Sequence, residues 1–298
     1  MGLTSGTDND QFYRWEESLD WGDNIGNWVD ILNGPNGNDP TMATEGFVAC
    51  EGYAINYITT DKTLSLSGVP YTSNQSINIT RTTNSTSIGN NLVGNPFCST
   101  IAANSNADAN SFLSTNSDVL DATYSGIYAW NEQASYQGNR DDYTTISNSD
   151  AAKYIEAGQG FIVCAKNSGS TSLPFNTNMR KHGTATFYKN SEQEEVSRFY
   201  MSVENDEGLY NEILIAFIEG MANGLDISYD VGKLKGNPDI ALYSVLVEDN
   251  GSDFIHQALP PLSGNITEVK IGLDINQAGN YTFKIKELEN FDKIITIK

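Results

Sequence analysis

Basic residues are scarce in this chain of 298 residues, and the chain contains no long apolar segment. Lys and Arg together number 17 against 38 Asp and Glu, which gives a formal net charge of −21. Binding to nucleic acid or to an anionic membrane surface requires a basic patch, so this charge excludes both kinds of partner. The longest apolar run, residues 213–218, has six residues, whereas a membrane-spanning helix needs about 20. We therefore expect no membrane insertion.

Histidine and cysteine are rare as well. The 2 histidines, His182 and His256, adjoin no G-x-S-x-G elbow, and we interpret both as solvated loop residues. The 3 cysteines form no CxxC pair, so they predict neither a zinc knuckle nor a redox motif and allow at most one disulfide. HExxH and glycine-rich phosphate-binding motifs are absent from the sequence. We therefore expect no bound organic cofactor and no enzymatic activity.

Asparagine, in contrast, is abundant, with 33 residues that often stand beside Ser, Thr and Gly. These residues favour turns and strand edges, and helical periodicity is weak apart from a predicted short helix near residues 107–113. The alternation of apolar and polar residues predicts strands at 12–15, 52–57, 64–66, 77–80, 92–97, 126–130, 160–165, 173–175, 199–203, 212–218, 240–247, 269–275, 281–285 and 294–297. The predicted fold class is therefore all-β.

The chain divides into two regions of different texture near residue 184. Residues 184–298 contain short strands at regular spacing, which is typical of an immunoglobulin- or fibronectin-like β-sandwich. Tyr281, two residues after Gly279, also fits a tyrosine corner, in which the phenol bonds a nearby backbone carbonyl. We predict a β-rich, sandwich-like domain over residues 1–183 and a separate β-sandwich over residues 184–298.

The first region contains an internal duplication. Residues 12–31 align without gaps on residues 127–146, with identities at Tyr13/Tyr128, Trp15/Trp130, Glu17/Glu132, Asn24/Asn139 and Ile31/Ile146. The match resumes where residues 49–53 meet residues 157–161. The two copies extend over residues 12–66 and 127–175. Because solenoids need at least about three repeats, we interpret this as one duplicated β unit.

These segments resemble a β-rich region of large secreted and cell-surface proteins of Bacteroidetes, which precedes the type IX secretion sorting domain. The matching segments are residues 12–17, 51–57, 91–97, 127–131, 155–163, 224–234 and 278–281. The resemblance implies a secreted or outer-surface location and a covalent connection to further domains. This architecture accompanies enzymes and adhesins alike, so the resemblance implies no particular activity.

Aromatic residues in polar segments give the strongest functional hypothesis. The apolar faces of sugar rings stack on exposed aromatic rings, while Asn, Asp and Gln side chains orient the hydroxyl groups. We expect ligand binding at Trp21, Trp28, Tyr136 and Tyr143, with a polysaccharide or cell-surface glycan as the partner. Trp15 and Trp130, which are kept in both copies, are expected in a shared core.

Acidic residues support two weaker hypotheses. Calcium is a candidate ion, with Asp249 and Asp253 as its ligands, but the motif lacks the glutamate at position twelve of an EF-hand, so ordinary Asx turns are the alternative. Glu17 and Glu132 occupy equivalent repeat positions and could form a catalytic pair, although a repeated acid more often anchors a loop.

The sequence thus predicts a non-catalytic accessory region that binds carbohydrate or mediates adhesion. A purely structural stalk beside a sorting domain is the first alternative. A glycan-active enzyme with a carboxylate pair is the second.

Overall fold

The computed structural model describes residues 11–19, 27–31, 47–56, 68–83, 88–130, 143–181, 196–235, 239–262, 268–291 and 294–296. Strands account for 47% of the structure and helix for 4%, which confirms the all-β class. Two compact units are present. Unit 1 contains residues 1–121 and 152–183, and unit 2 contains residues 122–151 and 184–298.

Unit 1 contains short antiparallel strands. The structure places β1 at Gln11–Glu16, β2 at Asn27–Asp30, β3 at Ala54–Asn56, β4 at Gln75–Arg81, β5 at Asn90–Gly94, β6 at Ile101–Ala102, β9 at Tyr154–Ile155, β10 at Gly160–Cys164 and β11 at Gly169–Phe175. Strand β1 lies between β2 and β3, while β4 pairs with β11, β5 with β10, and β6 with β9.

Three phenylalanines form the centre of the unit 1 core. Phe112 packs edge-on against Phe161 with ring centroids 5.1 Å apart, and its centroid lies 5.3 Å from that of Phe175. All three side chains are buried. Burial of a side chain of this size stabilises a fold by about 1.5–3 kcal/mol. The core therefore depends on strands and a helix that are far apart in the sequence.

The single α-helix of the described residues, α1 at Phe112–Asn116, starts later than predicted. Asn104 closes a turn instead, because its side-chain oxygen accepts a hydrogen bond from the Ala107 amide at 3.2 Å. Ser111 then caps the helix by accepting from the Ser114 amide at 3.3 Å. Asn and Ser favour such local caps over helix interiors. A 3₁₀ turn at Thr177–Met179 lies near the end of unit 1.

Cys50 and Gly158, which the repeat alignment pairs, share an unusual backbone conformation. Their φ angles are 67° and 74°, in the left-handed region that non-glycine residues rarely adopt. Each stands a few residues before an equivalent strand, β3 or β10.

All three cysteines are free thiols. Burial raises the pKa of the Cys50 thiol to about 12, so it stays protonated at neutral pH.

Unit 2 begins with a hairpin and continues with a larger sheet. The strands are β7 at Ile127–Trp130, β8 at Tyr143–Ile146, β12 at Ser197–Asn205, β13 at Tyr210–Phe217, β14 at Val231–Gly232, β15 at Ile240–Val245, β16 at Asp253–Leu259, β17 at Lys270–Ile275 and β18 at Tyr281–Glu289. The larger sheet has the order β17-β15-β16-β13-β12-β18, with β14 paired to β16, and β13 and β16 run parallel. These seven strands belong to one hydrogen-bonded sheet that is curled.

The apolar core of unit 2 contains Met201, Val203, Leu209, Ile213, Ile215, Phe217, Ile240, Leu242 and Leu259. Five of the six strands predicted after residue 184 are present. Strand β16 was not predicted, and residues 294–296 are not in a strand although one was predicted at 294–297. The tyrosine corner is confirmed, because the Tyr281 hydroxyl donates to the Gln277 carbonyl at 2.9 Å.

Residues 122–151 group with unit 2, although the sequence placed them in a domain over residues 1–183. Backbone and side-chain hydrogen bonds explain the grouping. The buried Tyr128 hydroxyl donates to the Gly232 carbonyl at 2.9 Å, and the Gly232 amide donates to the Thr123 carbonyl at 2.7 Å. The Ser228 amide donates to the Ser125 hydroxyl at 2.7 Å. The chain passes from unit 1 to unit 2 after residue 121, returns to unit 1 after residue 151, and passes to unit 2 again after residue 183. The predicted boundary near residue 184 is the last of these crossings.

Candidate functional site

The hairpin formed by β1 and β2 carries a cluster of aromatic rings. Antiparallel pairing places Trp15 opposite Trp28, and their ring centroids lie 5.1 Å apart at an interplanar angle of 76°. The Trp15 indole is held in place, since its Nε1 donates to the Asn90 carbonyl at 2.8 Å. Trp28 is 42% exposed. We call Trp15 and Trp28 the first aromatic pair.

The hairpin formed by β7 and β8 repeats this arrangement in unit 2. Trp130 lies opposite Tyr143, with ring centroids 5.5 Å apart and an interplanar angle of 74°. These are the residues that the repeat alignment matches to Trp15 and Trp28, so the duplicated sequence forms hairpins of identical register. Trp130 is 53% exposed. We call Trp130 and Tyr143 the second aromatic pair.

The two exposed indoles differ in strand position. In the first pair the exposed ring belongs to the second strand of the hairpin, and in the second pair it belongs to the first strand. Each pair nonetheless offers one exposed indole next to a more buried aromatic ring. Such an arrangement suits a ligand with an apolar face, because stacking buries part of an exposed ring.

The structure describes half of the predicted aromatic site. Trp28 and Tyr143 lie on strands, each beside an aromatic partner, while Trp21 and Tyr136 are outside the described residues. The prediction of Trp130 as a core residue is wrong, because the residue is 53% exposed. One sequence signal indicates that these rings are paired, although it does not indicate which of them is exposed. In both copies the paired aromatic residues stand 13 positions apart (Trp15 and Trp28, Trp130 and Tyr143), which fits facing positions of a hairpin.

The two candidate calcium ligands each have another partner in the structure. Asp249 accepts a hydrogen bond from the Gly251 amide at 2.8 Å, which is an Asx turn. Asp253 forms an ion pair with Lys235 at 2.5 Å, and Lys235 also contacts Asp274 at 2.8 Å. The Lys235 ammonium group would compete with a calcium ion for the Asp253 carboxylate. No group of three or more His, Cys, Asp or Glu that could hold a metal ion occurs within the described part of the chain.

Asp230 is a buried aspartate whose side chain accepts hydrogen bonds from the backbone. Its carboxylate accepts hydrogen bonds from the Asp226 amide at 2.6 Å and from the Ala258 amide at 2.6 Å. Burial raises the pKa of Asp230 from its usual 3.8 to about 7, although these two hydrogen bonds act in the opposite direction. This carboxyl therefore changes its protonation state in the physiological range.

His256 is buried on β16, and its interpretation as a solvated loop residue is wrong. Only 4% of it is exposed, and its Nδ1 lies 2.9 Å from Ser147 Oγ and 3.4 Å from Asp150 Oδ2. A catalytic triad uses both ring nitrogens, one for the serine and one for the acid, whereas both contacts here involve Nδ1. Ser147 is fully buried as well. The cluster joins the segment after β8 to the large sheet and offers no accessible nucleophile.

Glu17 anchors a loop, as the sequence favoured. It is 3% exposed, and its Oε1 accepts hydrogen bonds from the Thr82 amide at 3.0 Å and the Thr82 hydroxyl at 3.3 Å. Its repeat partner Glu132 and the second histidine, His182, lie outside the described residues. The Glu17 carboxylate thus has a structural use that explains its burial.

A family model described as a domain of unknown function (DUF8693) matches residues 2–294. The chain belongs to this family. The match extends over residues of both units. No curated protein and no solved structure matches the chain. In the described residues, no helix is long and apolar enough to cross a membrane.

Proposed function

We propose that this protein is a non-catalytic carbohydrate-binding region of a secreted or cell-surface bacterial protein. The supporting observation is the repetition of one arrangement in two hairpins, an exposed tryptophan ring opposite a second aromatic ring. Each hairpin leaves one tryptophan exposed, although at different strand positions, and an exposed indole beside a second aromatic ring gives an apolar ligand a surface on which to stack. Sugar rings provide the apolar face that such indoles bind.

The composition of the chain supports the same proposal. The segments between the hairpin strands, residues 17–26 and 131–142, are rich in Asn, Asp, Gln and Glu by sequence. These side chains hydrogen-bond sugar hydroxyls in carbohydrate sites. The resemblance to regions beside a type IX sorting domain supports export, with attachment to further domains that would contain any catalytic activity.

Affinity electrophoresis through gels that contain soluble polysaccharides tests the proposal. Retardation of the wild type is expected on at least one polysaccharide. Trp28→Ala and Trp130→Ala should each weaken it, by roughly 10- to 100-fold in affinity for the site concerned, as for other aromatic anchors. Tyr71→Ala is the matched control, since Tyr71 is 43% exposed but belongs to neither pair.

Two results would overturn the proposal. Migration that no polysaccharide changes would favour a structural spacer, and retardation that survives both tryptophan substitutions would place binding elsewhere. Release of reducing ends from the polysaccharides would contradict the non-catalytic part of the proposal alone.

A further inference from the structure

The angle between the rings limits the shape of the ligand. The rings of the first aromatic pair meet at 76° and those of the second at 74°. Tyr13 also meets Trp28 at 71°. Because these rings share no plane, neither pair forms a flat platform two rings wide. A crystalline polysaccharide presents a flat array of chains, and such a surface would lie flat against at most one ring of each pair.

A single sugar ring fits the same geometry well. One pyranose can stack on the exposed indole face while the neighbouring ring forms a wall beside it. The wall of the first pair is rigid, because the Asn90 carbonyl accepts a hydrogen bond from the Trp15 indole. A fixed ring loses less conformational entropy when a ligand binds.

Charge limits the chemistry of the ligand. The first repeat segment, residues 12–31, contains five acidic residues and one arginine, and the second, residues 127–146, contains three acidic residues and one arginine. The whole chain carries −21. A polyanionic glycan would be repelled from both hairpins, and repulsion of this kind lowers association rates and affinity at low ionic strength.

We infer that each aromatic pair binds one sugar ring of a neutral glycan chain in solution, so that the protein carries two glycan sites. This inference rests on the proposed function. The two sites are expected to be independent and similar in affinity, since both use one exposed indole. The difference in strand position predicts that they are not identical.

Isothermal titration with neutral hexasaccharides of mixed-linkage glucan, xylan and galactomannan tests the number of sites. For the oligosaccharide that binds, we expect two sites per chain. Trp28→Ala and Trp130→Ala should each leave one site, and the double variant none. Tyr71→Ala should keep both. Trp28→Phe and Trp130→Phe retain a ring and should keep two sites with weaker affinity, which separates loss of stacking from misfolding.

Sedimentation with microcrystalline cellulose and chitin, and titration with polygalacturonate at about 0.01 M and 0.15 M salt, test the class of ligand. We expect neither insoluble material nor polygalacturonate to bind. Preferential binding to a crystalline surface or to the acidic glycan would overturn this inference and leave the proposed function standing. A single binding site in the wild type would have the same consequence. Absence of binding to every glycan would overturn both.

Discussion

At the residue scale, close backbone packing restricts position 52 of unit 1 to glycine. Its amide donates to the Leu92 carbonyl at 3.1 Å, and a Cβ at this position would stand 2.6 Å from the Val93 carbonyl oxygen and 2.7 Å from Leu92 Cγ. Backbone cannot move aside as the end of a side chain can. A side chain at Gly52 would therefore push its segment away from β5.

We expect Gly52→Ala to lower the free energy of unfolding by about 1–3 kcal/mol, the usual cost of overpacking. Chemical denaturation monitored by tryptophan fluorescence measures this. Gly68→Ala is the control, because no atom lies within 4 Å of its added Cβ. Equal stabilities of the two variants would contradict the expected clash.

Asp230 makes the stability of unit 2 depend on pH. The folded protein binds the Asp230 proton more tightly than the unfolded chain does, since burial raises its pKa to about 7 from the usual 3.8. The native state therefore gains from this group below about pH 4, and the gain is lost as the pH rises to about 7.

Comparison with Asp230→Asn isolates this effect. The stability of the wild type relative to the variant should fall between about pH 4 and pH 7 and stay constant above that range, with about 1.4 kcal/mol for each pKa unit. Thermal melts across this range measure it, with the exposed Asp206→Asn as control. A difference that is constant with pH would show that Asp230 has an ordinary pKa.

At the scale of elements, β16 pairs with three other strands of the large sheet. It pairs in parallel with β13 and antiparallel with β14 and β15. Two consecutive buried residues on it are polar, His256 and Gln257. His256 contacts Ser147 and Asp150, whereas both side-chain polar atoms of the fully buried Gln257 lack a hydrogen-bond partner in the described structure.

We expect Gln257→Leu to raise the free energy of unfolding by about 1–2 kcal/mol, because a buried amide without a partner costs about 1–3 kcal/mol. The neighbouring position on β13 is the apolar Ile215, so leucine suits the surroundings. Gln159→Leu is the control, because its side chain accepts a hydrogen bond from the Glu156 amide at 3.0 Å. A destabilised Gln257→Leu variant would mean that the amide is satisfied.

At the scale of the whole molecule, the large sheet of unit 2 depends on a segment from the middle of the chain. Residues 122–151 contribute the Tyr128 and Thr123 contacts to β14 and the Ser149 carbonyl that accepts from Arg198 at 3.0 Å. Tyr200 donates to Asp150 at 2.9 Å. A fragment that contains residues 184–298 alone would lose all of these contacts.

We therefore expect the 184–298 fragment to unfold without a cooperative transition. A second fragment, with residues 122–151 joined to it by a flexible Gly/Ser linker, should recover cooperative unfolding. Calorimetry distinguishes the two, because a packed domain absorbs heat in one sharp transition. A 184–298 fragment as cooperative as the joined fragment would contradict the division of the chain into these units.

Local sequence patterns determined the all-β class and most strand positions, because alternation and turn residues act over a few residues. The repeat alignment also predicted which aromatic residues are equivalent, and both hairpins have that register. Strand β16 was missed because His256 and Gln257 interrupt its pattern, and the burial of His256 depends on partners more than 100 positions earlier in the chain.

Exposure of the tryptophans likewise could not be read from sequence. Trp15 and Trp130 are identical in type and repeat position, yet the Trp15 indole bonds the Asn90 carbonyl while Trp130 is more than half exposed. The sequence by itself determined the fold class, the duplication and the acidic surface. Tertiary structure alone decided where residues 122–151 pack and which ring of each pair is open to a ligand, because both depend on contacts between distant segments.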